Sequence, residues 1–262
     1  ISAMCRWLNI PRSSYYYQAV DPVSEADLED KITYIFLESK SRYGARKIKK
    51  CLEKDGIILS RRRIRRIMKR LNLVSVYQKA AFKPHSRGKN EAPIPNRLDR
   101  QFDQKRPLEA LVTDLTYVRV DRRWAYVCLT IDFFNREIIG LTVGWHKTAE
   151  LVKQAIQSIP YALTKAKLFH SDRGKEFDNQ LIDEMLEAFG ITRSLSQAGC
   201  PYDNAVAEST YRSFKLEFIN QETFQSLKEL ALKTKDYVHW WNYHRIHGSL
   251  NYQTPMTKRI IA

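Results

Sequence analysis

Apolar positions follow two different rhythms along the chain. Up to about residue 83 they recur three and four apart. Leu28, Ile32, Ile35 and Phe36 mark one side of a helix that begins near Glu25. Ile48, Cys51 and Leu52 repeat the pattern after Tyr43-Gly44, and Asp55-Gly56 ends that helix. Ser60 is a good N-cap for a third helix, whose apolar side is Ile64, Ile67, Met68 and Leu71. Ahead of all three, Met4, Trp7, Leu8 and Ile10, then Pro11 and a Ser-Ser-Tyr-Tyr-Tyr run, predict a short helix and a turn that need a partner to pack on. From Leu108 the period shortens to two. Strands are predicted over 110–120, 124–133 and 137–144, joined by turn-forming Asp121-Arg122-Arg123 and Asn135-Arg136 into an antiparallel meander. A helix over 148–159, a short buried strand at 167–170, a helix over 179–189 closed by Gly190 and a strand at 191–196 follow. Asp203 then opens a helix with Ala207, Tyr211, Phe214 and Phe218 along one side.

These elements imply five segments. Residues 1–22 form an N-terminal helical piece, and 23–83 a small helical domain of helix-turn-helix type. Residues 84–107 are polar, carry Pro84, Pro93, Pro95 and Pro107, and read as a linker. Residues 108–222 form an α/β core, and 223–262 a helical, basic and aromatic tail. Three strands, helix, strand, helix, strand, helix is the order of a ribonuclease-H-like core, with a mixed five-stranded sheet and flanking helices. Other α/β folds share parts of that order.

Charge narrows the class of partner. The formal net charge is +15, which favours a polyanion. Nucleic acid is favoured over a membrane surface, because no amphipathic anchor accompanies the charge and no apolar run approaches the roughly 18 residues of a span. Between Ser41 and Arg70 there are 13 Lys or Arg against Glu53 and Asp55. The polar side of the third helix presents Arg61, Arg62, Arg65, Arg66 and Lys69, expected to meet DNA phosphates. A basic three-helix bundle that touches only the phosphate backbone would show the same pattern. Cys5, Cys51, Cys128 and Cys200 have no pairing motif and read as reduced, partly buried thiols. There is no signal-peptide pattern at the start, so a cytoplasmic location is expected, with nucleoid association when bound to DNA. The chain opens on Ile1, which suits a fragment or the continuation of an upstream reading frame.

Three carboxylates stand in contexts that need explaining. Asp114 lies inside an apolar run, Asp172 directly after one, and Glu208 in a helical pattern. Any one alone is more often structural. Together they form an all-oxygen donor set of the kind a hard divalent cation prefers. Phosphodiester cleavage in this style uses two metal ions about 4 Å apart. Asp114 would bridge both, Asp172 complete one site and Glu208 close the other. Arg212 and Lys215 follow Glu208 at i+4 and i+7 and put cations on the same helix face. His239, His244 and His247 could suggest zinc, but only the last two lie close in sequence, and a tail packed on the core or on DNA fits better.

Thr113-Asp114-Leu115-Thr116-Tyr117, Ile131-Asp132-Phe133-Phe134-Asn135-Arg136, His170-Ser171-Asp172-Arg173-Gly174 and Tyr202-Asp203-Asn204-Ala205-Val206-Ala207-Glu208-Ser209 resemble the integrase-type catalytic core of bacterial insertion-sequence transposases. The likeness is to the second-frame product of the IS-three family. Asp172 and Glu208 are separated by the 35 residues of its acidic signature, and Lys215 takes the place of its basic residue. Tyr43-Gly44 with the basic helices, and Asn242-Tyr243-His244-Arg245, His247 and Thr254-Pro255, resemble its helix-turn-helix-like segment and its C-terminal signature. The resemblance implies a DDE transposase that cuts at element ends and transfers the 3′-hydroxyl to another strand. It implies two Mg²⁺ ions, with Mn²⁺ as a substitute, held by Asp114, Asp172 and Glu208. It implies DNA partners (terminal inverted repeats and target DNA), a homo-oligomer on DNA, and an upstream-frame segment joined by frameshifting. Arg173 and Asn204, inside the motifs, are expected at the DNA with Arg212 and Lys215. Leu111 departs from the tryptophan usual in the family, which touches packing and not catalysis. Retroviral integrases carry a His/His/Cys/Cys zinc module, whereas the first hundred residues here offer only His85, Cys5 and Cys51. Two other readings remain in play at this point: a silent DNA-binding regulator derived from a transposase, and a ribonuclease-H-like nuclease that hydrolyses without joining.

Overall fold

The computed structural model describes residues 1–17, 24–79, 94–197 and 200–262. The chain divides into two compact units, Ile1–Val74 and Ser75–Ala262. The predicted break at 22/23 and the first part of the proline-rich segment, with Pro84, His85 and Pro93, lie outside the described residues.

The first unit is helical: α1 (Ser2–Trp7), α2 (Arg12–Tyr15), α3 (Glu25–Glu38), α4 (Ala45–Lys54) and α5 (Arg61–Arg70). Ser24 Oγ accepts from Asp27 N at 3.0 Å and Ser60 Oγ from Arg63 N at 3.2 Å, each capping the helix that follows. The three-and-four spacing buries Leu28, Ile32, Phe36, Ile48, Leu52, Ile64, Ile67 and Met68 in one core. Gly56 turns the chain between α4 and α5 at φ +76°, a conformation that favours glycine. Arg63 and Arg70 of α5 reach back to Glu25, and Arg70 also to Glu29, tying α5 to α3. The N-terminal pieces stay largely uncovered, with Trp7 86% exposed.

The second unit is built on the strands β1 (Ala110–Val120), β2 (Arg123–Asp132), β3 (Ile138–Gly144), β4 (Leu168–Ser171) and β5 (Thr192–Leu195). They form one sheet in the order β3-β2-β1-β4-β5. The meander β1–β2–β3 is antiparallel, and β4 and β5 run parallel to β1 and to each other. Helices α6 (Ala149–Gln157), α7 (Gln180–Ala188), α8 (Ala205–Glu217), α9 (Leu227–Tyr243) and α10 (Pro255–Ile260) accompany it. Alternation in β1 explains the layering. Ala110, Val112, Val118 and Val120 share a core with Val206, Tyr211 and Phe214 of α8 and Tyr237 and Trp241 of α9. Leu111 faces the other way, with Val152, Ala155 and Ile156 of α6 and Ile182 and Leu186 of α7. A Cβ on Gly140 would stand 2.5 Å from the Ala155 carbonyl oxygen, so the glycine lets α6 lie close on β3. This is the expected ribonuclease-H-like fold. Among the described residues, no helix is long and apolar enough to cross a membrane, and all four cysteines are free thiols.

Two segments outside the sheet are bound into this unit. Residues 94–107, expected as linker, lie along the core: Ser194 Oγ accepts from Arg97 N and Leu98 N, Arg100 pairs with Asp203 at 2.8 Å, and Phe102 stacks on Phe133. The tail packs on the core too. Asn242 exchanges two hydrogen bonds with the backbone of Ile138, and Trp241 Nε1 donates to Arg136 O. Arg259 pairs with buried Asp132 at 2.8 Å and with Glu137. One local expectation changes. Asp203 does not open the helix, because its carboxylate is occupied by Arg100 and Gln197 N. Residues Pro201–Asn204 therefore form a tighter 3-10 turn, and α8 begins at Ala205.

Candidate active site

Parallel pairing of β1 with β4 sets Val112 opposite His170. Asp114 lies two residues beyond that pair within β1, on the sheet face that α8 covers, and Asp172 lies two residues beyond it, just past the end of β4. Asp114 Oδ1 accepts from Leu115 N at 2.7 Å, and Asp172 Oδ1 from Gly174 N at 2.9 Å. Glu208 lies in the first turn of α8 and is exposed.

One tyrosine fixes that helix against the strands. Tyr211, a turn beyond Glu208, is buried; its hydroxyl accepts from Leu129 N at 2.7 Å and donates to the carbonyl of Asp114 itself. The side chain thus joins the Glu208 turn to the Asp114 backbone. Burial pushes the Tyr211 hydroxyl well above its usual pKa, with Cys128 and Asp114 adding to the effect, so it stays a donor.

The carboxyls act on one another. Burial, then the charge of Asp172, and further the charges of Glu208 and Glu176, push Asp114 up to about 7 against the opposing Leu115 N–H. Asp172 is raised by burial and by Glu176, and is lowered by Gly174 N–H and Lys147. Glu176 is buried and pairs with Lys147 Nζ at 2.7 Å. Neither Glu176 nor Lys147 stands out in the sequence. Among the described residues, no three acidic, histidine or cysteine side chains are arranged tightly enough to hold an ion as they stand.

The residues expected at DNA divide. Arg212 is exposed on α8, and Lys215 lies over the ring of exposed Tyr117 at 4.6 Å. Arg173 instead donates to the carbonyls of Ser196 at 2.7 Å and Ile94 at 3.2 Å. Asn204 is 6% exposed. Arg173 thus clamps loop backbone, and Asn204 is buried in the turn that leads into α8. In the first unit Arg61, Arg62, Arg65, Arg66 and Lys69 are exposed on α5, and among the described residues none of the five is ion-paired. At 3.6 residues per turn they occupy roughly a 140° arc. His170 is buried with Nδ1 2.9 Å from Ser194 Oγ, and burial lowers it to about 4. His247 is buried against Trp241 and Arg245, and His239 lies against Tyr243 and His244.

Known proteins share this organisation. Residues 104–201 and 189–255 match family models described as integrase core domain, and residues 23–81 match an HTH-like domain. The putative transposase InsK of insertion sequence element IS150 from Escherichia coli K12 is 29% identical over 264 residues, covering 99% of this chain and 93% of that protein. The transposase of IS904 from Lactococcus lactis is 29% identical over 231 residues, covering 87% and 91%. Transposase InsF of insertion sequence IS3A from Escherichia coli K12 is 28% identical over 265 residues, covering 96% and 92%. Among solved structures, the HTLV-2 integrase catalytic core domain in its dimeric form covers 59% of this chain and 98% of its own, at 15% identity and a TM-score of 0.44. That superposition is loose, and the fold is evident from the strand order itself. With a helix-turn-helix-like region, an integrase core and near end-to-end similarity to these proteins, the chain is similar throughout to insertion-sequence transposases of the IS3 and IS150 type, and its core is that of a DDE strand-transfer enzyme.

Proposed function

We propose that Asp114, Asp172 and Glu208 are the catalytic acids of this transposase, and that they hold two divalent ions, Mg²⁺ with Mn²⁺ as a substitute. The observation that carries this is the placement of Asp114 and Asp172 two residues beyond the paired Val112 and His170 of β1 and β4, with the Glu208 helix fastened to the Asp114 carbonyl through Tyr211. The donor chemistry fits such ions. Every candidate ligand is a carboxylate oxygen, and an aspartate raised to about 7 belongs to a cluster short of positive charge. Bound there, the ions would supply Lewis acidity to activate water or a 3′-hydroxyl and to stabilise the leaving oxygen. The chain's own part is positional. The interior strands β1 and β4 place Asp114 and Asp172, α8 brings Glu208 to them, and Lys215 and Arg212 hold strand phosphates beside it. In the helical unit, Arg61, Arg62, Arg65, Arg66 and Lys69 grip the DNA backbone. The enzyme acts as a homo-oligomer on terminal repeats and target DNA at the nucleoid, with an upstream-frame segment contributing to end recognition.

The test is a strand-transfer assay on element-end DNA with Mg²⁺, comparing the full chain with Glu208→Gln. Joined products from the wild type alone are expected. Hydrolysis without joining would favour a nuclease, and equal activity in Glu208→Gln would remove Glu208 from the site.

A further inference from the structure

A cation already stands beside the carboxylate cluster. Lys147 closes the loop between β3 and α6, immediately before Thr148, the N-cap residue of α6. A lysine is electrostatically disfavoured there, because the helix N-terminus is itself positive. Its ammonium nevertheless lies 2.7 Å from Glu176 Oε1, and that carboxylate is only 7% exposed. Glu176 in turn sits against the Asp172 loop. A Cβ on Gly174 would come within 2.3 Å of Glu176 Oε1, and the same glycine donates its N–H to Asp172 Oδ1 at 2.9 Å. Lys147, Glu176, Gly174 and Asp172 therefore follow one another in space, ending at the candidate metal ligands. Burial works against the Lys147 charge, yet Glu176, Asp172 and Asp114 together hold its pKa above the ordinary lysine value. An ion pair meant only to join two loops would not need to lie where its positive end also serves Asp172 and Asp114.

We propose that Lys147, tethered by Glu176, is a built-in counter-ion of the carboxylate cluster, and that a divalent cation competes with it for Asp114 and Asp172. The inference rests on the metal-binding reading of those residues. In the metal-free protein Lys147 offsets part of the repulsion among the acids. When the cluster is loaded, the same charge opposes the incoming ion, which keeps metal affinity modest until DNA phosphates add their own negative charge.

The experiment is Mn²⁺ binding to the full chain without DNA, followed by loss of the free-ion paramagnetic resonance signal. Wild type, Lys147→Gln, Lys147→Arg and Asp114→Asn are compared at one pH and ionic strength. Lys147→Gln is expected to tighten Mn²⁺ binding by about tenfold, the order a unit charge exerts on a nearby divalent ion in a solvated cleft. Lys147→Arg, which keeps the charge, should stay within about twofold of wild type. A purely structural ion pair predicts the opposite sign, because loosening the loop would weaken binding. Unchanged or weaker affinity in Lys147→Gln therefore overturns the counter-ion role while leaving the metal site standing. If Asp114→Asn binds Mn²⁺ as wild type does, the metal-site reading fails, and the counter-ion fails with it.

Discussion

Helix α8 carries an acid near each end, and the two are treated in opposite ways. Glu217, at its C-terminal end, is buried and fully engaged. Arg245 donates to it from Nη2 at 2.7 Å and from Nε at 2.9 Å, Tyr237 donates at 2.9 Å, and Tyr77 adds a further hydrogen bond. Burial works against the charge on Arg245, but Glu217 more than offsets it and drives the guanidinium pKa above its usual value. Glu208, nine residues earlier, is exposed, and its charge adds to those that raise the pKa of Asp114. A structural acid is supplied with donors by the fold. The other cluster is left with more negative charge than the fold compensates, as a site for an external cation requires.

The largest stability effect should come from breaking the satisfied end. Arg245→Ala leaves Glu217 buried without its counter-charge and should cost about 3–5 kcal/mol. Replacing both partners with apolar residues of similar size should cost far less. Urea denaturation midpoints of the single and double variants decide this, and an equal loss in both would show that packing against Trp241, not charge, holds the tail.

The carboxylate cluster predicts a pH dependence of definite sign. Asp114 titrates near 7 when folded and near 4 when unfolded. Between those values the folded chain holds a proton that the unfolded chain has released. Stability of the metal-free protein should therefore fall as pH rises from about 4 to about 7, by a few kcal/mol at most. Asp114→Asn should flatten that slope, and Mn²⁺ should recover part of the loss at pH 7. Thermal unfolding from pH 4 to 8 measures all three. A slope identical in wild type and Asp114→Asn would assign it to other groups.

Tyr211→Phe should act at the joint between the two ends. Removing the hydroxyl leaves Leu129 N–H and Asp114 C=O without their bridge, at a cost of roughly 1–3 kcal/mol. Strand transfer should fall more than stability predicts, because the Glu208 turn loses its attachment to Asp114. Activity measured well below the melting point separates the two effects.

How much of this the amino-acid pattern reveals depends on distance along the chain. The period-two runs of 110–120 and 124–133 encode strands locally, and the spacing of Asp172 and Glu208 marks the acids. Tyr211 is visible only as one apolar residue in a helical stripe, since its hydroxyl role depends on β1 and β2 lying beneath it. Lys147 and Glu176 give no signal, because their pairing joins two loops far apart along the chain that no local pattern links. The partners of Asp132 and Glu137 come from Arg259, more than 120 residues away, where no periodicity could link them. The partners of Arg173 are hidden for the same reason, since the backbone carbonyls of Ser196 and Ile94 that it binds lie far from its motif along the chain.

The same division between occupied and available charge separates the arginines of α5, and it gives the smallest but cleanest test. Arg63 and Arg70 pair with Glu25 and Glu29, whereas Arg62, Arg65 and Arg66 are exposed without an ionic partner among the described residues. Exposed ion pairs contribute little, so Arg63→Gln should lower stability by no more than about 1 kcal/mol. It should also leave the salt dependence of DNA binding near that of wild type. Each of Arg62→Gln, Arg65→Gln and Arg66→Gln should instead leave stability unchanged and reduce the slope of log K against log salt by about 0.9 for each phosphate no longer neutralised. Binding isotherms at several salt concentrations read both quantities at once. Equal slopes in the Arg63 and Arg65 variants would mean that ion pairing on α5 does not mark which side faces DNA, and the phosphate-gripping role would pass from α5 to another basic surface.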